Sequence, residues 1–106
     1  MKIAVVGSRT FSDYILLKSV LNLAAKYGFV TEIVSGGAQG ADSLAKKYAQ
    51  EHNVSYKEFP AQWDIYGKSA GFIRNKLIVE YCDMVIAFWD GKSRGTNDTS
   101  IIKAWN

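Results

Sequence analysis

A chain of 106 residues, 48% hydrophobic and 22% charged, has the length for one packed domain, since domains span about 50 to 250 residues. Its 13 Lys and Arg against 10 Asp and Glu leave a formal charge of +3. That suits an anionic small molecule and falls short of the concentrated basic face of a nucleic-acid binder. The sole cysteine, Cys82, cannot form a disulfide within the chain, and its apolar neighbours mark it as a buried structural thiol. The amino terminus runs directly into a strand-like segment without a signal-peptide pattern. No apolar run approaches the roughly 18 residues of a membrane span. The expectation is a single soluble, cytoplasmic domain over residues 1–106, with no membrane partner.

Residues 2–6 form an apolar run closed by Gly7, which predicts a buried strand. Leu16, Leu17, Val20, Leu21 and Ala24 recur at helical spacing over residues 13–26, with Asp13 placed as an N-cap and Gly28 as a helix stop. Residues 31–34 predict a second strand. A second helix follows, marked by Ala41, Leu44, Ala45, Tyr48 and Ala49, and residues 54–59 predict a third strand ended by Pro60, the only proline. Residues 61–67 read as a loop carrying Trp63 and Tyr66, before a third helix with Ala70, Ile73, Leu77, Ile78 and Tyr81 on one face. Residues 84–88 predict a fourth strand, and residues 96–105 a last short helix.

Strands alternating with helices predict an α/β fold of Rossmann-like build, a three-layer sandwich around a parallel sheet. Strands without polar alternation agree, because such sheets are covered on both faces. Right-handed crossovers favour the strand order 3-2-1-4. Ligands of open α/β sheets bind beyond the carboxyl ends of the strands, where every chemically equipped loop of this chain would gather.

Four segments carry that equipment. Gly7-Ser8-Arg9-Thr10 offers a hydroxyl and a planar guanidinium for phosphate or carboxylate. Ser35-Gly36-Gly37-Ala38-Gln39-Gly40-Ala41-Asp42 joins a strand to a helix N-terminus, whose amides and dipole attract anions. It is neither a P-loop nor the strict dinucleotide fingerprint. Asp42 has two readings, a first-turn capping role and a ribose contact. Between Trp63 and Asn75, the aromatic Trp63 suits stacking on a base, Lys68 opposes the helix dipole unless an anion compensates, and Arg74 and Asn75 lie one turn further on. Trp89-Asp90-Gly91-Lys92-Ser93-Arg94-Gly95-Thr96 adds hydroxyls, charge and close-approach glycines. His52, the only histidine, falls at the wrong end of its helix for a base, and no His/Cys cluster suggests a metal.

Together these segments resemble the SLOG superfamily, and within it the YspA/YpsA-related group of small Rossmann-like domains. The resemblance is carried by Val5-Val6-Gly7-Ser8-Arg9, the Ser35 to Asp42 turn, Gly67-Lys68-x-Ala70-Gly71-x-x-Arg74-Asn75, and Ala87-Phe88-Trp89-Asp90-Gly91-x-Ser93-x-Gly95-Thr96. The superfamily includes the Lonely Guy phosphoribohydrolases, the single-strand-binding DNA-processing protein A group, and sensors of nucleotide-derived signals in bacterial and phage conflict. The resemblance therefore implies a pocket for a nucleotide or nucleotide derivative. Lonely Guy enzymes place a catalytic glutamate in a Pro-Gly-Gly-x-Gly-Thr-x-x-Glu motif. Aligning Gly95-Thr96 with it puts Thr99 where the glutamate belongs, with Asp98 one residue off, a rotation of about 100° on a helix.

The expectation is thus a binding module for sensing or sequestration, with no catalytic residue, cofactor or metal. Its ligand-binding residues would be Gly7, Ser8, Arg9, Ser35, Gly36, Gly37, Ala38, Gly40, Asp42, Trp63, Lys68, Arg74, Asn75, Trp89, Asp90, Ser93, Gly95 and Thr96. The alternatives are a nucleoside-monophosphate phosphoribohydrolase using Asp90 or Asp42, and single-stranded DNA binding, which the modest charge disfavours. A homo-oligomer is expected from a free strand-four or helix edge.

Overall fold

The computed structural model describes residues 1–26, 28–37, 39–88 and 99–103. The chain begins with β1 (Lys2–Gly7), whose apolar residues pair in parallel with β2 (Glu32–Ser35) on one side and β4 (Met84–Phe88) on the other. Beyond β2 lies β3 (Ser55–Glu58), also parallel, with Ser35 and Glu58 in register. The four parallel strands thus stand in the order 3-2-1-4, as the alternation of elements predicts. Because all four strands are parallel, their carboxyl ends lie on one edge of the sheet, and the β-to-α loops share that edge.

Two helices cover one face. In α1 (Tyr14–Ala24) the Asp13 side chain caps the start, accepting from the Leu16 amide at 3.0 Å. The helix closes at Ala25 rather than at Gly28, which lies three residues past the cap and takes no left-handed conformation. In α2 (Ala41–Glu51) the small residues Ala41, Ala45 and Ala49 let the helix lie close to the sheet. Ile3, Val5, Ile33, Ile86 and Phe88 from the strands meet Leu17 and Leu21 of α1 and the alanines of α2 there.

The opposite face is covered by α4 (Ala70–Tyr81), which packs Ile78 with Ala4, Val34 and Val85. Cys82 is fully buried in this cluster, as its neighbours predict. The expected loop at residues 61–67 instead holds a short helix, α3 (Trp63–Tyr66), followed by a 3-10 turn, Gly67–Ser69, leading into α4. Asp64 in its first turn complements the helix dipole.

The expected last helix over residues 96–105 is not formed across its span. Residues Thr99–Lys103 are instead a strand, β5, antiparallel to β4. Thr99, Ile101 and Ile102 are β-branched and favour extended backbone. Pairing with β4 also supplies partners for an edge that would otherwise present unpaired amides and carbonyls. The strand-four edge invoked for self-association is therefore covered. Among the described residues no helix is long and apolar enough to cross a membrane.

Candidate functional site

Each chemically equipped loop is positioned by backbone packing. After β1 the Ser8 amide donates to the Phe88 carbonyl at 2.9 Å, and the Phe11 ring packs tilted against Phe88 with centroids 5.2 Å apart. These contacts hold the β1–α1 loop against β4 and present Arg9 on the surface. Gly7 is part of the same junction, with the Phe88 carbonyl and Ala41 pressed against its α-carbon. The Ser8 hydroxyl is buried and has no hydrogen-bond partner among the described residues.

The glycine turn after β2 is closed mostly by its own acceptors. The Gly36 amide donates to the Asp42 carboxylate at 3.0 Å, in a buried position. The Gly37 amide donates to the Ser35 hydroxyl at 3.3 Å. The Ala41 amide, the first of α2, points to the Ser8 carbonyl at 3.4 Å. Gly40 has φ +75°, and a β-carbon there would meet the Ser8 and Arg9 carbonyls at 2.3 and 2.6 Å. The β1–α1 loop thus seats directly on the start of α2, which only glycine allows. The Asp42 carboxylate, in the first turn of α2, thus closes the glycine turn through the Gly36 amide, while the helix itself starts at Gly40 without a side-chain cap bond.

Arg74 of α4 ties two loops together. Its guanidinium lies over Gly36, donating to the Gly36 carbonyl at 3.1 Å and toward the Phe59 carbonyl at 3.5 Å. The Asn75 side chain accepts from Arg74 Nε at 2.8 Å and so braces the fork.

Between these parts lies an open cleft of about 460 Å³, within the usual range of about 300–1,000 Å³ for small-molecule sites. Arg9 enters from the first loop, Gly36, Gly37 and Gln39 from the second, Pro60, Ala61 and Trp63 from the β3–α3 connection, and Arg74 from α4. Trp63 is 55% exposed, with its ring edge 3.4 Å from where a Gly71 β-carbon would stand. An exposed indole beside two guanidiniums can take the flat face of an aromatic group while the charges take an anion.

The structure therefore brings Arg9, Gly36, Gly37, Trp63 and Arg74 to one place. Ser8, Ser35, Gly40 and Asp42 support the walls, and Gly7 sits beneath them. Asn75 reaches the cleft only through Arg74. Lys68 lies exposed in the 3-10 turn and is not among the cleft's lining residues. Ala38, Trp89, Asp90, Ser93, Gly95 and Thr96 fall outside the described residues. His52 caps the far end of α2, its ring stacked on Tyr48.

Sequence reasoning missed Gln39, Pro60 and Ala61, and Glu58 beside them. The structure sets the Glu58 carboxylate over Gly37. A β-carbon on Gly37, whose φ is +79°, would come within 2.5 Å of Glu58 Cδ and 2.7 Å of Oε2. Tyr56 Oη donates to Glu58 Oε1 at 3.2 Å and is also bonded to the Ser35 hydroxyl. An amide only donates and a carboxylate only accepts, so the protons run one way: Gly37 N–H to Ser35, Ser35 to Tyr56, Tyr56 to Glu58. Burial, then the nearby Glu58 charge, raises the Tyr56 pKa against an opposing hydrogen bond from Ser35, which keeps the phenol a donor. A usable signal was present: an acidic residue closing the strand that follows a glycine turn and its helix.

The profile of the YspA, cpYpsA-related SLOG family matches residues 1–66, the stretch holding β1, the glycine turn, β3 and Trp63. A curated relative, the Gene 61 protein of Mycobacterium phage D29, is 33% identical over 104 aligned residues, covering 90% of this chain and 82% of the relative. No solved structure matches the chain.

Proposed function

The chain belongs to the YspA, cpYpsA-related SLOG family, and from that premise we propose that it binds a nucleotide or nucleotide-derived small molecule for sensing or sequestration. The observation that carries this reading is the convergence of Arg9, Arg74 and Trp63 on one cleft with the Gly36–Gly37 backbone. Two planar guanidiniums suit a phosphate group, and the exposed indole suits a base. The inward-turned amides of Gly36, Gly37 and Ala41 leave the arginines as the main answer to the ligand's charge. The glycine turn then shapes the wall they work against, and the buried Ser8 hydroxyl keeps unspent hydrogen-bonding capacity beside it.

Calorimetric titration with mononucleotides, ADP-ribose and cyclic oligonucleotides tests the reading. Arg9→Ala is the cleaner charge variant because Arg9 is exposed, whereas Arg74 also ties the loops. Loss of its charge-assisted bonds is expected to weaken phosphate-bearing ligands about tenfold or more. Trp63→Ala is expected to cost roughly five- to a hundredfold, the usual worth of one base stacked on an aromatic ring. Folded protein that binds no member of the panel refutes the proposal. Release of free base during titration would instead select the phosphoribohydrolase reading, and affinity growing with oligonucleotide length the single-strand one.

A further inference from the structure

We propose that Glu58 reads the ribose of the bound nucleotide, accepting hydrogen bonds from the vicinal 2′- and 3′-hydroxyls, so that the cleft selects ribonucleotides over deoxyribonucleotides. The inference rests on the nucleotide reading above and adds which sugar the site takes. Three observations carry it.

The first is placement. The unit β2, glycine turn, α2, β3 is a strand, a close-approach turn, a helix and a parallel neighbouring strand. In dinucleotide-binding folds that also run strand, glycine turn, helix and strand, an acidic residue about 20 positions beyond the glycines bonds the ribose. Glu58 occupies that position, at the carboxyl end of β3 and in register with Ser35. Asp42, the other carboxylate of the turn, is directed at the Gly36 amide and so is already engaged.

The second is preorganisation. Glu58 is solvent-exposed, yet its carboxylate is bonded at one oxygen and laid against the glycine turn at the other. Tyr56 Oη grips Oε1 at 3.2 Å, while Oε2 lies over Gly37, a residue of the cleft wall. A freely rotating surface glutamate would need neither the bare α-carbon of Gly37 nor the chain of donors through Ser35 and Tyr56.

The third is charge. A carboxylate at the edge of a cleft with two arginines repels a phosphate placed against it and favours a neutral group rich in donors. With phosphate at Arg9 and Arg74 and the base at Trp63, the sugar falls between them. Its cis-diol presents two O–H donors to an acceptor-only carboxylate.

The test titrates wild type, Glu58→Gln and Glu58→Ala with adenosine 5′-monophosphate and its 2′-deoxy analogue, and with ribose 5-phosphate and 2-deoxyribose 5-phosphate. Wild type is expected to prefer each ribo form by at least about tenfold, because a site built to bond a hydroxyl rejects the analogue lacking it. Both variants are expected to bring the two forms within about threefold, chiefly by weakening the ribo form, with an unchanged thermal midpoint for Glu58→Gln. Equal binding of ribo and deoxy forms by wild type, or a preference that survives both substitutions, overturns the assignment while leaving nucleotide binding intact. Binding of neither nucleotide nor sugar phosphate overturns both readings together.

Discussion

The two faces of the sheet are built to different standards. Against α1 and α2 the strands present Ile3, Val5, Ile33, Ile86 and Phe88 to two helices that bury Leu17, Leu21, Ala41, Ala45 and Ala49. Against α4 the cluster buried among the described residues is Ala4, Val34, Ile78, Cys82 and Val85. The helix on that side leaves Phe72 79%, Leu77 50% and Val79 41% exposed, where α1 leaves Ile15 80% and Leu23 53%. The cleft takes its outer wall, Trp63 and Arg74, from this thinner side and its inner wall from the packed glycine turn. One face holds the fold and the other carries the chemistry, because side chains committed to a close-packed core are not available to a ligand.

The largest effect expected from this contrast is on stability. Leu17→Ala, on the two-helix face, removes a fully buried side chain and is expected to lower the unfolding free energy by about 2–5 kcal/mol. Phe72→Ser, on the outer side of α4, is expected to stay within about 0.5 kcal/mol because the ring is already in water. Urea denaturation of the two variants decides it, and comparable losses would show that α4 is as fully packed as α1. If the homo-oligomer expected from the sequence forms through this exposed face, sedimentation of Phe72→Ser will show a shift toward monomer.

This contrast also explains what the sequence disclosed. The strands and the α1–α2 face were legible because burial writes a plain pattern: β-branched runs in β1, β2 and β4, and apolar residues at helical spacing in α1. The site was legible where it depends on residue type within one loop, as at Arg9, Trp63 and Arg74. It was not legible where two distant segments meet. Glu58 comes to lie over Gly37, itself a residue of the cleft wall, only because β3 pairs with β2 and sets it in register with Ser35. Gly36 and Gly37 looked like bare amides, yet folding aims Asp42 and Ser35 at those same amides. The end of the chain misled for a related reason: Thr99–Lys103 takes its extended form from pairing with β4, which no local periodicity announces.

An intermediate effect is expected at Cys82, which reports on the thinner face. Burial, then the nearby Asp83 and Glu32 charges, pushes its thiol up to about 12, so almost no thiolate exists at pH 8 and disulfide reagents should react slowly. Labelling by a chromogenic disulfide should therefore be slow in buffer and prompt in urea. Ile78→Ala, which removes a buried neighbour from the same cluster, should accelerate labelling in buffer. If α4 opens alone, labelling will outrun global unfolding, the signature of a locally less stable unit. Labelling of the native protein as prompt as in urea would contradict a sealed cluster.

The smallest expected effect concerns a tyrosine–glutamate pair on the stronger face, and its sign follows from linkage. Tyr14 of α1 donates to Glu51 at the end of α2, and burial together with this bond raises its phenol from 10.0 to about 12. The unfolded chain releases that proton near pH 10 while the folded chain retains it. The folded state then binds more protons, so its stability falls as pH climbs from about 10 to 12 and the contribution is complete below about 10. On the opposite face Tyr81 donates to Glu32 and is raised in the same direction. Urea midpoints measured at pH 8 and pH 11 should therefore differ for wild type and differ less for Tyr14→Phe, which has no phenol to titrate. Tyr81→Phe should act in the same sense, and because the effect scales with the shift and Tyr14 is the phenol raised to about 12, the larger flattening belongs to Tyr14→Phe. Equal flattening by the two variants would mean that the two faces resist alkali alike, against the asymmetry their packing shows.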